Sequence, residues 1–233
     1  MSENDLTTAT NDKQNVANHV AKAVQDGMII GLGTGSTANY FIEALARRKQ
    51  DENLQISAVA SSVVSSIKAQ QLGLDIVAME HVSQLDLYVD GADEVSPEMS
   101  LLKGRGFDLV KEKLLAKASA EFYVLVDKSK IVTRIGEIYP IPIEVSPFSW
   151  QLVLCSLQQI GGTGGLRKNA GGDGLAISSQ GNLILDMSFD AEIDAAELTN
   201  ELNSVPGVIE HGIFHQLATK IVLGERGKVI ERN

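Results

Sequence analysis

Met28-Ile29-Ile30-Gly31-Leu32-Gly33-Thr34-Gly35-Ser36-Thr37 decides the reading of this chain. A short apolar run enters a glycine-rich turn, and Ala38, Phe41, Ile42 and Leu45 then follow at i, i+3, i+4, i+7. That spacing gives a helix one apolar stripe. Strand, glycine turn, amphipathic helix is the opening of a parallel α/β sheet. The glycines let backbone N–H groups turn toward an anion, and the helix that follows adds the positive end of its dipole. No Gly-Lys-Ser/Thr follows, so this is not a P-loop. Ser36 stands at the third glycine position of a dinucleotide fingerprint, and the next strand ends in Ser61-Ser62 rather than an acid. A single phosphate or a set of sugar hydroxyls fits better, with Thr34, Ser36 and Thr37 as hydroxyl donors. A plain tight turn with an N-cap is the alternative.

Upstream, residues 1–12 read as a loose arm. Residues 13–25 read as a helix carrying Val16, Val20, Ala23 and Val24. Downstream come a strand at Ile56–Ala60, a helix at Ser66–Leu72 and strands at Asp75–Met79 and Asp86–Asp90. A helix at Leu109–Ala118 and a buried-type strand at Phe122–Val126 follow. Strands alternating with helices imply a parallel sheet covered on both faces. Ligands of such sheets lie outside the carboxyl ends of the strands, and the unusual residues of this chain cluster there. Composition changes near Gly136, where three prolines fall within Pro140–Pro147. Beyond them the order is strand (Ile141–Val145), helix (Phe148–Ile160), strand (around Gly165–Lys168), strand (Asn182–Phe189), helix (Asp194–Val205), strand (Gly207–Phe214). This β-α-β-β-α-β order is ferredoxin-like. The final TKIVLGERGKVIE reads as a hairpin returning to the first domain. The expected division is a large domain over 1–136 and 211–233, with a small α+β domain over 137–210.

Composition narrows the function. The chain has 233 residues and a net charge of −10, with no Lys/Arg block, which disfavours nucleic acid. No apolar run reaches the roughly 20 residues needed to span a membrane, and the polar, acidic start is no signal peptide. The one cysteine, Cys155, cannot form an internal disulfide or a Cys-based zinc site, which points to the cytoplasm. It lies among Leu152, Val153, Leu154 and Leu157, so a core position is expected.

Three further stretches can carry chemistry. Asp90-Gly91-Ala92-Asp93-Glu94 puts three carboxylates at a strand end. Like charges this close raise at least one pKa, which suits proton transfer. An acidic turn, an N-cap or a magnesium-binding cluster are the other readings, although no His or further carboxylate at fixed spacing supports a dedicated metal site. Lys103-Gly104-Arg105-Gly106 is a cationic loop that can approach a ligand closely. Glu112 follows it between Lys111 and Lys113, where an ordinary solvated helix charge is the plain reading. Asp127-Lys128-Ser129-Lys130 can bring a lysine to the same rim, and Lys13 is either a surface or a site lysine. His211 and His215 read as strand residues rather than ligands.

Together these stretches resemble the type A ribose-5-phosphate isomerases along nearly the whole chain. The resemblance rests on GLGTGSTA at 31–38, YVDGADE at 88–94, KGRG and KEK within 103–113, and DKSK at 127–130. PIPIEV at 140–145, NLILD at 182–186 and PGV at 206–208 extend it. It implies a Rossmann-like large domain and a ferredoxin-like small one. It implies Glu112 as the proton-transfer base, Asp90 for ring opening, Asp93 for orienting a hydroxyl or the lysine, and Lys103 as oxyanion stabiliser. Substrate contacts are expected from Thr34, Gly35, Ser36, Thr37, Gly91, Ala92, Gly104, Arg105, Gly106, Lys130 and Lys13. No metal or other cofactor is expected, and the partners are a sugar phosphate and further copies of the chain in a homodimer or homotetramer. Two departures stand out. Arg105, Phe107 and Asp108 replace small residues of the family's loop, and Val63 and Val64 stand where relatives often have a polar residue. A sugar-phosphate sensor, an amino-sugar-phosphate deaminase, a coenzyme A transferase or an isomerase of another sugar are the competing readings.

Overall fold

The computed structural model describes residues 3–190 and 193–233, with side chains from Asp12 onward. In chain order the elements begin α1 (Glu3–Ala21), β1 (Ile29–Leu32), α2 (Ser36–Glu52), β2 (Ser57–Ala60), α3 (Val63–Gln71), β3 (Asp75–Ile76) and β4 (Leu85–Asp90). Then come β5 (Glu94–Val95), β6 (Leu101–Leu102), α4 (Leu109–Ala118), β7 (Ser119–Asp127), β8 (Ile141–Val145), α5 (Trp150–Gln159) and β9 (Thr163–Leu166). The chain closes with β10 (Leu183–Ser188), α6 (Ala195–Ser204), β11 (Val208–His211), β12 (Ile213–Phe214), β13 (Lys220–Glu225) and β14 (Lys228–Arg232).

These elements form two compact units. The first holds 1–92, 111–130 and 217–233, and the second holds 93–110 and 131–216. In the first unit, seven strands run in the order β14-β13-β7-β4-β1-β2-β3. All neighbours are parallel except the β13–β14 hairpin at the edge. Taken without that hairpin partner, this is the doubly wound order, which reverses direction between β1 and β4. The helical stripe read from the sequence is the packed face of α2: Ala38, Phe41, Ile42 and Leu45 are all buried. Val16, Ala17, Val20 and Ala21 of α1 join them in the same core. Full burial of a side chain such as Phe41 contributes about 1.5–3 kcal/mol.

In the second unit, β11-β8-β10-β9 is an antiparallel sheet. Counted within the unit this is 4-1-3-2, the order of a ferredoxin-like split βαβ. Its core combines Ile141, Ile143 and Val145 with Val153, Leu157, Leu198 and Leu202 of the two helices. Asp194 caps α6 by accepting the Glu197 N–H at 2.7 Å. A separate small sheet, β12-β6-β5, lies in this unit.

Four readings need correction. The arm over 1–12 is helical from Glu3, because its polar residues conceal a period that only the later turns express in apolar side chains. The single strand expected over Gly207–Phe214 divides at Gly212, and Ile213–Phe214 pairs with Leu101–Leu102 instead. A Cβ at Gly212 would come within 2.4 Å of the Lys103 carbonyl, so only glycine permits the division. His215 therefore lies beyond β12 rather than in a strand, and its Nδ1 is 2.8 Å from the Ser100 hydroxyl. Cys155 is exposed, not core; α5 buries only Val153 and Leu157, and Cys155 points away from both.

Candidate active site

Parallel strands deliver the turns that follow them to one edge of a sheet. In the first unit these turns are Gly33–Gly35 after β1, Ser61–Ser62 after β2, Gly91 after β4 and Lys128–Lys130 after β7. β1 and β4 are the adjacent strands at which the sheet order reverses, which is where such sheets bind ligands.

Asp90 ends β4 and is fully buried. Its Oδ1 accepts the Thr34 N–H at 3.1 Å and the Gly91 N–H at 2.7 Å. Its Oδ2 accepts the Tyr88 hydroxyl at 2.5 Å. Gly33 exists for this carboxylate, since a Cβ there would lie 2.1 Å from it. Gly31 exists for Tyr88, whose ring a Cβ would meet at 2.6 Å. Two glycines of the turn thus serve close packing, whereas Gly35 serves conformation: its φ of +109° is one that other residues resist.

Thr34 does not present a free hydroxyl. Its Oγ1 lies 2.9 Å from Ser61, 2.7 Å from Ser62 and 3.1 Å from Ser65. Ser65 in turn donates to the Gly33 carbonyl at 2.6 Å. Ser62 doubles as the N-cap of α3, accepting the Ser65 N–H. No side chain caps α2, whose first residues are Ser36 and Thr37. The N–H groups of that first turn are therefore oriented to take an anion. Lys13 reaches the turn and donates to Ser36 at 3.2 Å. Lys130 sits half-buried in the turn after β7.

Glu112 lies in the first turn of α4 and is 5% exposed, so it is not the solvated helix charge that its lysine neighbours suggest. Burial holds the Tyr88 phenol well above its ordinary pKa, and the charges of Asp90 and Glu112 push the same way. Two carboxylates 22 positions apart in the sequence thus act on one buried tyrosine.

The second unit holds the other expected residues. Lys103 is 4% exposed. Its N–H donates to the Gly212 carbonyl at 2.9 Å, and its ammonium lies 5.7 Å from the Phe214 ring centroid. Gly104 has φ +99° and packs against Leu109 and Pro142, and Arg167 donates to its carbonyl at 3.0 Å. Arg167 is itself fixed by a bidentate pair with Asp186, at 2.8 and 2.6 Å. Arg105 is exposed, with its guanidinium 4.2 Å from the Tyr139 ring centroid. Asp93 is tied by its N–H to the Leu102 carbonyl at 2.8 Å. Glu94 is no proton-transfer candidate. Its carboxylate accepts the N–H groups of Gly136, Ile138 and Tyr139 at 2.6–2.8 Å and so fixes that loop. The acidic run is therefore not one shared cluster: Asp90 and Glu94 each have their own donors. Among the described residues, no group of three or more His, Cys, Asp or Glu is arranged to hold a metal ion.

Reading the sequence assigned no role to Tyr88, the three serines or Arg167, and it grouped the loop-fixing Glu94 with the carboxylates suited to proton transfer. Only the serines left a signal, the i, i+3 pair Ser62 and Ser65 at a helix start.

The family model for ribose 5-phosphate isomerase A (phosphoriboisomerase A) matches residues 57–228. Ribose-5-phosphate isomerase A of Thermosynechococcus vestitus is 41% identical over 214 residues, covering 91% of each chain. The solved ribose 5-phosphate isomerase A of Methanocaldococcus jannaschii is 37% identical with a TM-score of 0.90, covering 95% of this chain and 98% of that one. A solved D-ribose-5-phosphate isomerase in complex with phospho-erythronic acid is 36% identical with a TM-score of 0.91, covering 95% and 97%.

Proposed function

This chain belongs to the ribose 5-phosphate isomerase A family, and we propose that Asp90, Glu112 and Lys103 are the groups with which it works. It interconverts D-ribose 5-phosphate and D-ribulose 5-phosphate. The observation that carries the assignment is the convergence of Asp90 and Glu112 on Tyr88.

The furanose ring opens first. Asp90 takes the proton of the C1 hydroxyl, the bond between C1 and the ring oxygen breaks, and Asp90 passes the same proton to that oxygen as it leaves. Glu112 then removes the C2 proton and returns it to C1. Between these transfers the substrate is an enediolate. The hydrogen on O2 ends on O1, so an aldehyde becomes a ketone with no change in atoms or electrons. Glu112 is nearly closed off from water, which favours return of its proton to carbon. Lys103 stabilises the developing oxyanion, a role worth about 3–4 kcal/mol where a comparable donor has been removed from other enzymes. Asp93 orients a hydroxyl or Lys103.

The uncapped start of α2, with Lys13, provides for the anionic or hydroxyl-rich end of the sugar, and Lys130 adds charge at the same sheet edge. Holding that end fixes the reacting carbons and converts remote binding into rate. Phospho-erythronic acid, bound in the relative named above, supports the chemistry. It joins a phosphate to a planar carboxylate, which resembles the planar, anionic enediolate.

Assembly with copies of itself and residence in the cytoplasm complete the proposal. No helix among the described residues is long and apolar enough to cross a membrane. Phe148 and Leu152 are 92% and 74% exposed, and a subunit contact would cover them. Conversion of ribose 5-phosphate by the purified protein in excess EDTA tests the function, with ribose as the control. Conversion of the phosphate ester in the presence of chelator is expected, with ribose losing turnover as well as affinity. Binding of the ester with no conversion would turn the assignment toward a sensor.

A further inference from the structure

We infer that Tyr88 is the positioning residue of Asp90, its phenol fixing the carboxylate in the orientation that opens the furanose ring. The inference rests on the ring-opening role given to Asp90 above.

Nothing about the ring of Tyr88 requires a hydroxyl. It is fully buried, stacked on Phe122 with centroids 4.7 Å apart and planes at 21°, and backed by Gly31. Phenylalanine would fill the same space. A buried phenol, by contrast, must find a partner, and this one donates to Asp90 Oδ2 at 2.5 Å. Asp90 is held on its other oxygen by the N–H of Thr34, whose hydroxyl lies 2.9 Å from that of Ser61. The contacts Tyr88–Asp90–Thr34–Ser61 therefore run across three adjacent strand ends. An aspartate side chain has two torsions, χ1 and χ2, and donors on both oxygens restrain them.

Tyr88 stays a donor throughout the working pH range. Desolvation keeps the phenol protonated, and the negative charges of Asp90 and Glu112, which face it from β4 and α4, reinforce this. It therefore neither accepts nor supplies the proton that moves. Its hydrogen bond goes to Asp90, and Glu112 acts on it through charge alone, so its effect falls on the step that uses Asp90.

That confinement is measurable. Ribose 5-phosphate enters mostly as a ring, whereas ribulose 5-phosphate is open-chain, because its C5 oxygen carries the phosphate and cannot close on C2. Exchange of the C1 proton of ribulose 5-phosphate for solvent deuterium, followed by NMR, needs enediolate formation but no ring opening. In Tyr88→Phe, conversion of ribose 5-phosphate is expected to fall about ten- to a hundredfold, with exchange within about twofold of wild type. Asp90→Asn should show the same selectivity with a larger loss. Wild-type conversion in Tyr88→Phe beside a selective Asp90→Asn overturns the positioning role. So does equal loss of both rates in Tyr88→Phe, the mark of a merely structural residue. Equal loss of both rates in Asp90→Asn removes the ring-opening reading itself, and the inference with it. Should Tyr88→Phe not fold, para-aminophenylalanine in place of Tyr88 keeps the ring and puts a weaker donor against Asp90. A selective loss of about two- to tenfold is expected there, and unchanged conversion overturns the inference.

Discussion

The turn after β1 and the loop after β6 are both rich in glycine and both carry expected substrate contacts, yet they are held in different ways. The β1 turn is fixed by adjacent parallel strands. Gly33 donates to the Val89 carbonyl at 2.9 Å, and the carboxylate of Asp90 occupies the space a side chain at Gly33 would need. The Lys103–Asp108 loop is fixed by side chains from far along the chain. Arg167 reaches the Gly104 carbonyl from 63 positions away, and Ser179 reaches Asp108 from 71 positions away. Within that loop Phe107 holds φ at +71°, a costly conformation for a bulky residue. Its carbonyl accepts the Ser179 N–H at 3.2 Å, and its ring lies 5.8 Å from the Arg167 guanidinium. A turn locked between strands has no room to vary, which suits groups that handle protons. A loop held by distant side chains can be retuned by substitutions that never touch it, which suits its exposed members Arg105 and Phe107 to set preference beside the buried Lys103.

This contrast can be broken most sharply at Gly33. In Gly33→Ala the methyl group collides with Asp90, and overpacking of this kind costs about 1–3 kcal/mol. Activity should fall on the order of a hundredfold, because small misplacements of reacting groups cost that much. Urea unfolding and steady-state rates check both. A near wild-type alanine variant would mean that Asp90 has slack it is not expected to have.

Next in size is Arg167→Ala, which removes the bidentate pair and the hold on Gly104. Stability should drop by about 1.5–3 kcal/mol, the range for hydrogen bonds to charged groups. A loop shift of similar energy would lower kcat/KM about tenfold. An unchanged kcat/KM in a destabilised protein would show that the loop does not depend on this anchor.

The smallest effect is expected at Arg105. Its stacking over Tyr139 is solvent-exposed and worth about 0.5–1 kcal/mol. Arg105→Gly, which restores the family's small residue, should change kcat by no more than about threefold, with any larger effect in KM or sugar preference. A substrate panel of phosphorylated pentoses measures it. A large fall in kcat would move Arg105 into the machinery of the reaction.

The same contrast explains what the sequence made legible. Regular packing writes itself into local patterns. The βα repeat, the α2 stripe and the β-α-β-β-α-β order of the second unit all followed from spacing, and the family motifs marked Asp90, Lys103 and Glu112. Residues whose roles arise from long-range approach left little local trace. Glu112 between two lysines looks like a surface charge until α4 buries it. Glu94 looks like a third member of an acidic cluster until its oxygens meet Gly136, Ile138 and Tyr139. β5, β6 and β12 have two residues each, too few to show a period, and their sheet appears only once Gly212 divides the strand that was expected to be continuous. Leu152 and Cys155 lie in an apolar run, yet only Val153 and Leu157 of that helix are buried.

The most direct test of the central assignment is the rate of ribose 5-phosphate conversion by Glu112→Gln, in protein whose thermal unfolding matches wild type. Glutamine keeps the shape and cannot take the C2 proton. A loss of at least about 10²–10⁴-fold is expected, the range for removing a general base, together with loss of C1 exchange in ribulose 5-phosphate. Conversion within tenfold of wild type, or exchange that persists, would contradict Glu112 as the base.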